Sequence, residues 1–396
     1  MPSYRKYPGD IIVNYDEPLP KPTKIKKDKY VQAVKEKFEE RSQTGIKKYN
    51  TTLEREDLSF LDWINHLQEE LMDATLYLER LKTSYAEETT KVVKQVQESY
   101  IKQSPKDNKH ISYSQLSSFA TCQKQWYLTY VRKLAPYQPS IHAVFGTAMH
   151  ETIQSWLATL YNDKVKLANE MDLDALLYEN IIKAYKAQKA MNAHDHFTTQ
   201  EEMNMFYIDG KHILNFLKKK RGGYFTTKGV YLAGIETLLY QELRPGVVFK
   251  GLIDLVFYDE RVDEWTIVDI KTSTSGWNKF AKEDDKRKSQ ILLYKEFFSR
   301  QFNIPREKIN VEYFILKRKV PKEAEFASMQ KRVQEFKPAD GPRKMKQAVD
   351  LMENFVKEAV DLNGEYIEKD YPASPSNDAC RFCTIKEMRL CPDAVF

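Results

Sequence analysis

The stretch FKGLIDLVFYDERVDEWTIVDIKTS, residues 249–273, decides the fold. Two runs rich in Val, Ile, Leu, Phe and Trp flank a charged turn, the pattern of an antiparallel hairpin. Asp254 and Asp269 nevertheless stand inside those apolar runs. Side chains alternate along a strand, so Asp269 and Lys271 share one face while Ile270 points the other way, into the core. If the strands pair across the turn, Asp254 approaches Asp269, and two carboxylates held close repel each other unless a cation lies between them. Hard oxygen ligands suit Mg²⁺ or Mn²⁺, ions that polarise a phosphate and activate water. Lys271 would then steer the attacking water or offset charge developing on phosphorus. The bland alternative is a solvated strand on which Asp269 and Lys271 form a same-face ion pair, because a motif as short as D-x-K recurs by chance.

Around this hairpin, the 396-residue chain is 42% hydrophobic and 30% charged, enough to bury one large core or two smaller ones. Its 62 basic and 57 acidic residues leave a formal charge of +5, which permits nucleic-acid binding without requiring it. No run reaches the length of a membrane span, and MPSYRKYPGD lacks the apolar segment of a secretory signal, so the expected compartment is the cytoplasm.

Along the chain, residues 1–30 are Pro-rich and basic and read as an extended arm. Residues 31–105 read as a helical module. Within it, Leu61, Ile64, Leu67, Leu71, Ala74, Leu78 and Leu81 recur at three and four spacing. QSPKDNKH, residues 103–110, breaks the pattern and marks a domain boundary. Helices are expected near 114–131, 147–161, 172–191 and 201–220, the last stopping at Gly222 and Gly223. The strands YLAGIETLLYQEL, VVFKGLIDLVFY and WTIVDIKT follow, then a helix at 286–300, a strand at VEYFILKR and a helix at 342–360. Short strands among helices give an α/β fold with a small central mixed sheet flanked by helices.

The segments ISYSQLSSFATCQKQWYLTYV, FGTAMHETI, GIETLL, GLIDLV, DIKT and QILLY appear in that order. Together they resemble the RecB-type branch of the PD-(D/E)XK nuclease superfamily over residues 111–394, with likeness to AddB and to CRISPR-adaptation exonucleases. The resemblance implies that Asp254 and Asp269 are metal-binding carboxylates and Lys271 the catalytic lysine. It adds His150 as a metal ligand and Glu236 as a supporting acid, with Glu242 an alternative on the same strand. Gln290 and Tyr294, four apart on one helical face, would shape the DNA-facing side. His150 is expected in a helix opened by Gly146 and Thr147.

In a subset of that family, one cysteine before the histidine motif and three after the core bind a 4Fe-4S cluster. Here Cys122 stands alone and CRFCTIKEMRLC carries Cys380, Cys383 and Cys391. The likeness implies such a cluster. The gap between Cys383 and Cys391 is longer than usual in the subset, and Zn²⁺ in a tetrahedral four-thiolate site is the second choice. Lys124, Trp126, Tyr127, Arg132 and the run Lys218 to Arg221 are candidates to track phosphates and stack bases. Glu70 and Asp73 form an E-x-x-D resembling the helix of MazG-like nucleotide pyrophosphohydrolases. A docking or self-association module is the preferred reading of that region. The expected protein is thus a Mg²⁺- or Mn²⁺-dependent DNA exonuclease of recombination, repair or phage DNA metabolism. A non-cleaving DNA-end-binding accessory and a pyrophosphohydrolase are the alternatives.

Overall fold

The computed structural model describes residues 29–99, 109–193, 195–321, 323 and 330–395, so the expected arm of residues 1–30 lies almost wholly outside the described part. The chain divides into units of residues 1–84 and 85–396. The first contains α1 (Lys29–Tyr49) and the opening turns of α2 (Phe60–Ser99), whose Leu61, Leu67, Leu71, Leu78 and Leu81 are exposed. The boundary thus falls inside α2, ahead of the polar break at 103–110. The reason is packing: Val96 is buried in a core of the second unit, with Val92 and Val93 against it.

The second unit opens with the short strand β1 (Lys109–Ile111). There follow α3 (Tyr113–Thr121), α4 (Gln123–Trp126) and a π-helical turn over Tyr127–Val131. Then come α5 (Ile141–Asn162), α6 (Val165–Glu170), α7 (Leu173–Met191) and α8 (Gln200–Tyr224). Two expectations shift here. Helix α5 begins at Ile141, capped by the Ser140 hydroxyl, and Gly146 lies within it. Its apolar face, Val144, Phe145, Ala148 and Met149, is buried across that glycine. Helix α8 likewise runs through Gly222 and Gly223 to Tyr224, whose ring packs with Phe225 into a core.

Strands β2 (Val230–Arg244), β3 (Val247–Asp259) and β4 (Glu264–Ser273) form the expected meander. After α9 (Lys279–Glu283) and α10 (Asp285–Phe302), β5 (Ile309–Lys317) and β6 (Val333–Phe336) complete a six-stranded mixed sheet. Helix α11 (Pro342–Ala359) precedes a tail with the short helices α12 (Asn377–Cys380) and α13 (Thr384–Glu387). One sheet face packs on α10, α11 and α3 through Phe297, Phe298, Phe355 and Phe119. The other packs on α5, α7 and α8 through Phe145, Trp156, Leu177 and Leu214. Helices on both faces of a mixed sheet are the α/β architecture expected.

The sheet contains a fork. One edge of β3 pairs with β2 along nearly its whole length. The other is shared, with β1 parallel to residues 247–249 and β4 antiparallel to residues 255–259. Between these segments β4 has turned away to run parallel to β5. A carboxylate fills the opening: Asp254 Oδ2 accepts a hydrogen bond of 2.6 Å from the Ile270 N–H, a donor left over where the two strands part.

Candidate active site

Four elements converge on the fork. Glu236 on β2 lies opposite Asp254 on β3, between the paired positions Ile235↔Leu255 and Thr237↔Ile253. Side-chain alternation slips at this point: Ile253 and Leu255, two apart, pack on opposite faces of the sheet. Glu236 itself has φ +49°, in the left-handed region where a side chain with a Cβ is strained. The slip aims both carboxylates at α5, where His150 waits. Ligating atoms of His150, Glu236 and Asp254 all lie within 4.8 Å of one another, the one such three-residue group among the described residues.

Asp269 and Lys271 emerge together from β4, as strand periodicity predicts. The Lys271 Nζ lies 2.7 Å from Asp269 Oδ2, and Asp269 is 2% exposed. That oxygen has no aligned hydrogen-bond donor although the ammonium is close, so it is held by charge more than by geometry. Burial pushes the Asp269 pKa up to about 6; Lys271 opposes the rise and Asp254 reinforces it. Burial also raises Glu236, with Gln154 opposing and Asp254 adding repulsion. For His150, burial disfavours the charged ring, yet the Asp254 contact, 3.5 Å from Nδ1 to Oδ1, outweighs it and the pKa is raised. Carboxylates that resist ionisation beside a histidine leaning on one of them form a donor set short of positive charge. A divalent cation supplies what is missing, and the oxygen-rich donors with one imidazole fit Mg²⁺ or Mn²⁺.

Gln154, one helical turn after His150, was not anticipated from the sequence. Its Nε2 donates to Glu236 Oε1 at 2.6 Å and to the Asp254 carbonyl at 3.3 Å, holding the strained glutamate. The i, i+4 spacing from His150 in HETIQ was the available signal. Gln290 does reach the site region and shares a groove with Lys271. Tyr294 is buried behind it and accepts a hydrogen bond of 3.1 Å from the Gln290 amide. Gly251 makes room for that ring, since a Cβ there would come within 2.8 Å of it. Glu242 lies outside the cluster, exposed and opposite Val248.

The basic and aromatic candidates fare differently. Trp126 is fully buried against Phe119, Phe355 and Tyr371 and cannot stack a base. Exposing it would forfeit on the order of 3 kcal/mol of burial, no less than the roughly 1–3 kcal/mol a stacked base returns. Tyr127 donates to Glu368, while Arg132 and Lys124 lie 4.0 and 3.8 Å from Glu368 and Asp370. Lys218 donates to the Met171 carbonyl. Glu70 and Asp73 gather no third ligating group among the described residues.

All four cysteines line one small cavity of about 20 Å³ with an almost wholly apolar wall. None is in a disulfide, and the Ser374 N–H points at Cys122 Sγ from 3.5 Å. No three of the sulfurs lie within 4.8 Å of one another.

A buried carboxylate pair on neighbouring strands, a lysine two residues on and a histidine from a facing helix form a candidate divalent-metal site. Comparison with family models gives the PD-(D/E)XK nuclease superfamily over residues 110–392, well over half of the chain. The protein belongs to that superfamily, whose members cut phosphodiester bonds with divalent metals such as Mg²⁺ and Mn²⁺. Comparison with curated proteins returned no match. Among the described residues no helix is long and apolar enough to cross a membrane.

Proposed function

We propose that this protein is a deoxyribonuclease that degrades single strands or DNA ends exonucleolytically. The observation that carries the reading is the meeting of His150, Glu236 and Asp254 beside the Asp269–Lys271 pair. His150, Glu236, Asp254 and Asp269 would hold Mg²⁺ or Mn²⁺, which when bound polarises the scissile phosphate and lowers the pKa of the attacking water. Lys271, fixed by Asp269, presents its ammonium to that water and to the charge growing on the phosphate. Gln154 keeps Glu236 turned inward, and the Ile270 N–H fixes Asp254, so the ligand set is assembled before substrate arrives. Gln290, steadied by Tyr294, contacts the strand beside the reacting phosphate.

The cysteine cavity is read as the seat of a 4Fe-4S cluster. The gathering of Cys122, Cys380, Cys383 and Cys391 around one cavity supports a shared centre, with a tetrahedral four-thiolate Zn²⁺ site the second choice. The exposed apolar stripe of α2 supports the reading of the amino-terminal unit as a docking or self-association module. By likeness to the RecB-type branch, the setting would be recombination, repair or phage DNA metabolism.

The test is digestion of end-labelled single- and double-stranded DNA scanned over Mg²⁺ and Mn²⁺. Progressive shortening from ends is expected with wild type, and a loss of at least a thousandfold in Asp269→Ala or Lys271→Ala at unchanged circular dichroism. DNA that is bound but never cut under any metal would instead favour the end-binding accessory.

A further inference from the structure

Two grooves flank the carboxylate fork. The first, about 760 Å³, is walled by α5, α7 and β2 and carries Glu151, Glu236 and Asp254 against a single lysine, Lys183. Apart from the candidate metal ligands His150, Glu236 and Asp254, its charged lining is only Glu151 and Lys183, which pair with each other at 3.1 Å and leave a strand no free cation to follow. The second, about 640 Å³, reaches Lys271 and Gln290 between α3, the π-helical turn and the cysteine-bearing tail. Its lining contains no carboxylate.

In place of acids the second groove presents hydroxyls. Ser114, Ser117 and Thr121 recur along one face of α3, and Thr129 and Tyr130 are supplied by the π-helical turn. A π-turn is a rare departure from α-helix frequently found at functional sites, and here Thr129 and Tyr130 of the turn line the groove. On the opposite wall stands Phe382, 81% exposed, with the Arg381 guanidinium 5.1 Å from its ring centre. An exposed phenylalanine beside an arginine has no packing role to explain it. Neutral hydroxyl donors, one ammonium at the inner end and an open aromatic face match the backbone and bases of a flexible strand better than a rigid duplex.

We propose that this hydroxyl groove is the track along which a single DNA strand reaches Lys271, and that Phe382 is the surface on which one of its bases stacks. The inference rests on the deoxyribonuclease reading and adds the substrate path to it. The outer wall of the track is formed by Ala379, Phe382 and Thr384, the neighbours of Cys380 and Cys383, so the segment that carries the cysteines also builds the groove.

Binding of a fluorescein-labelled oligothymidylate of about twelve nucleotides, with Ca²⁺ in place of Mg²⁺, tests the track. Phe382→Ala should weaken binding about tenfold and Phe382→Trp restore it, in line with the loss of one stacked base. Photocrosslinking of a 5-iodouracil oligonucleotide should mark Phe382 or Tyr130. Unchanged affinity in Phe382→Ala, or crosslinks confined to the acidic groove, would overturn the proposal. Because the ring is exposed, its removal takes nothing from the core, and matched thermal unfolding of the variants confirms that binding alone is read. A wild-type protein that neither binds nor cuts DNA defeats the deoxyribonuclease reading itself. One that cuts normally while Phe382→Ala binds normally defeats only the track.

Discussion

Glu236 shows what the site costs. A left-handed backbone strains any residue with a Cβ by about 1 kcal/mol or more, and burial beside Asp254 adds repulsion on the side chain. Replacing it with alanine removes the carboxylate and keeps the backbone strain; glycine removes both. In an ordinary strand glycine is the less stable of the two by roughly 0.5–1 kcal/mol. At position 236 the order should reverse, with Glu236→Gly about 1 kcal/mol more stable than Glu236→Ala in urea unfolding and both inactive. Equal stabilities, or alanine ahead, would mean that the strain carries no energy. The carboxylates of β3 and β4 were legible in the sequence because a charged residue inside an apolar strand has few bland explanations. Gln154 was not, because a glutamine on a helix is ordinary until the strand it faces is known. Trp126 misled for a related reason: tryptophan stacks equally well on bases and on Phe119, Phe355 and Tyr371, and only the packing decides.

Among elements, the hairpin was readable and its fork was not. Period-two alternation foretold that Asp269 and Lys271 share a face. The slip at Glu236 and Asp254 arises where β3 divides one edge between β1 and β4, and no local pattern announces that division. The outer pair of the sheet contains a second carboxylate under stress. Glu312 on β5 is driven up to about 7, first by burial and then by Glu335 on β6, with Lys337, 3.6 Å away, only partly relieving it. The folded protein therefore binds this proton more tightly than the unfolded chain, whose glutamate titrates near its ordinary value. Stability is highest below the unfolded pKa and falls as pH rises through about 7. Glu312→Gln should accordingly raise the melting temperature at pH 8, with the gain shrinking below pH 7 and gone near pH 4. A gain that stays constant with pH, or grows as the pH falls, would contradict the assignment.

At the scale of the whole molecule, the tail is tied back twice. Tyr371 is buried against Phe119, Trp126 and Tyr127, and beyond it the cysteines meet Cys122 across a shared cavity. Removing one thiol, as in Cys391→Ser, should abolish the broad visible absorption expected of the iron-sulfur form. It should also open Arg381, Lys386 and Arg389 to trypsin while the body up to Tyr371 resists, and weaken oligonucleotide binding along with tail retention. A tail equally resistant in the variant would show that Tyr371 alone secures it. The compact units divide at 84/85, inside α2, whereas the family match begins at residue 110, close to the polar break read from the sequence. Composition marks where a helix stops being regular, whereas a compact unit begins where side chains such as Val96 start to bury, and that depends on partners far along the chain.

The parallel pairing of Lys109 with Val247 has a consequence in time. β2, β3 and β4 are neighbours in sequence and can zip together quickly, whereas β1 must wait for everything from α3 to β2 to be made and packed before its partner exists. Helix α3 hangs directly from β1. Closing β1 onto β3 spans the whole stretch from α3 to β2, a long loop to close, so the placement of α3 depends on one of the most non-local pairings of the sheet.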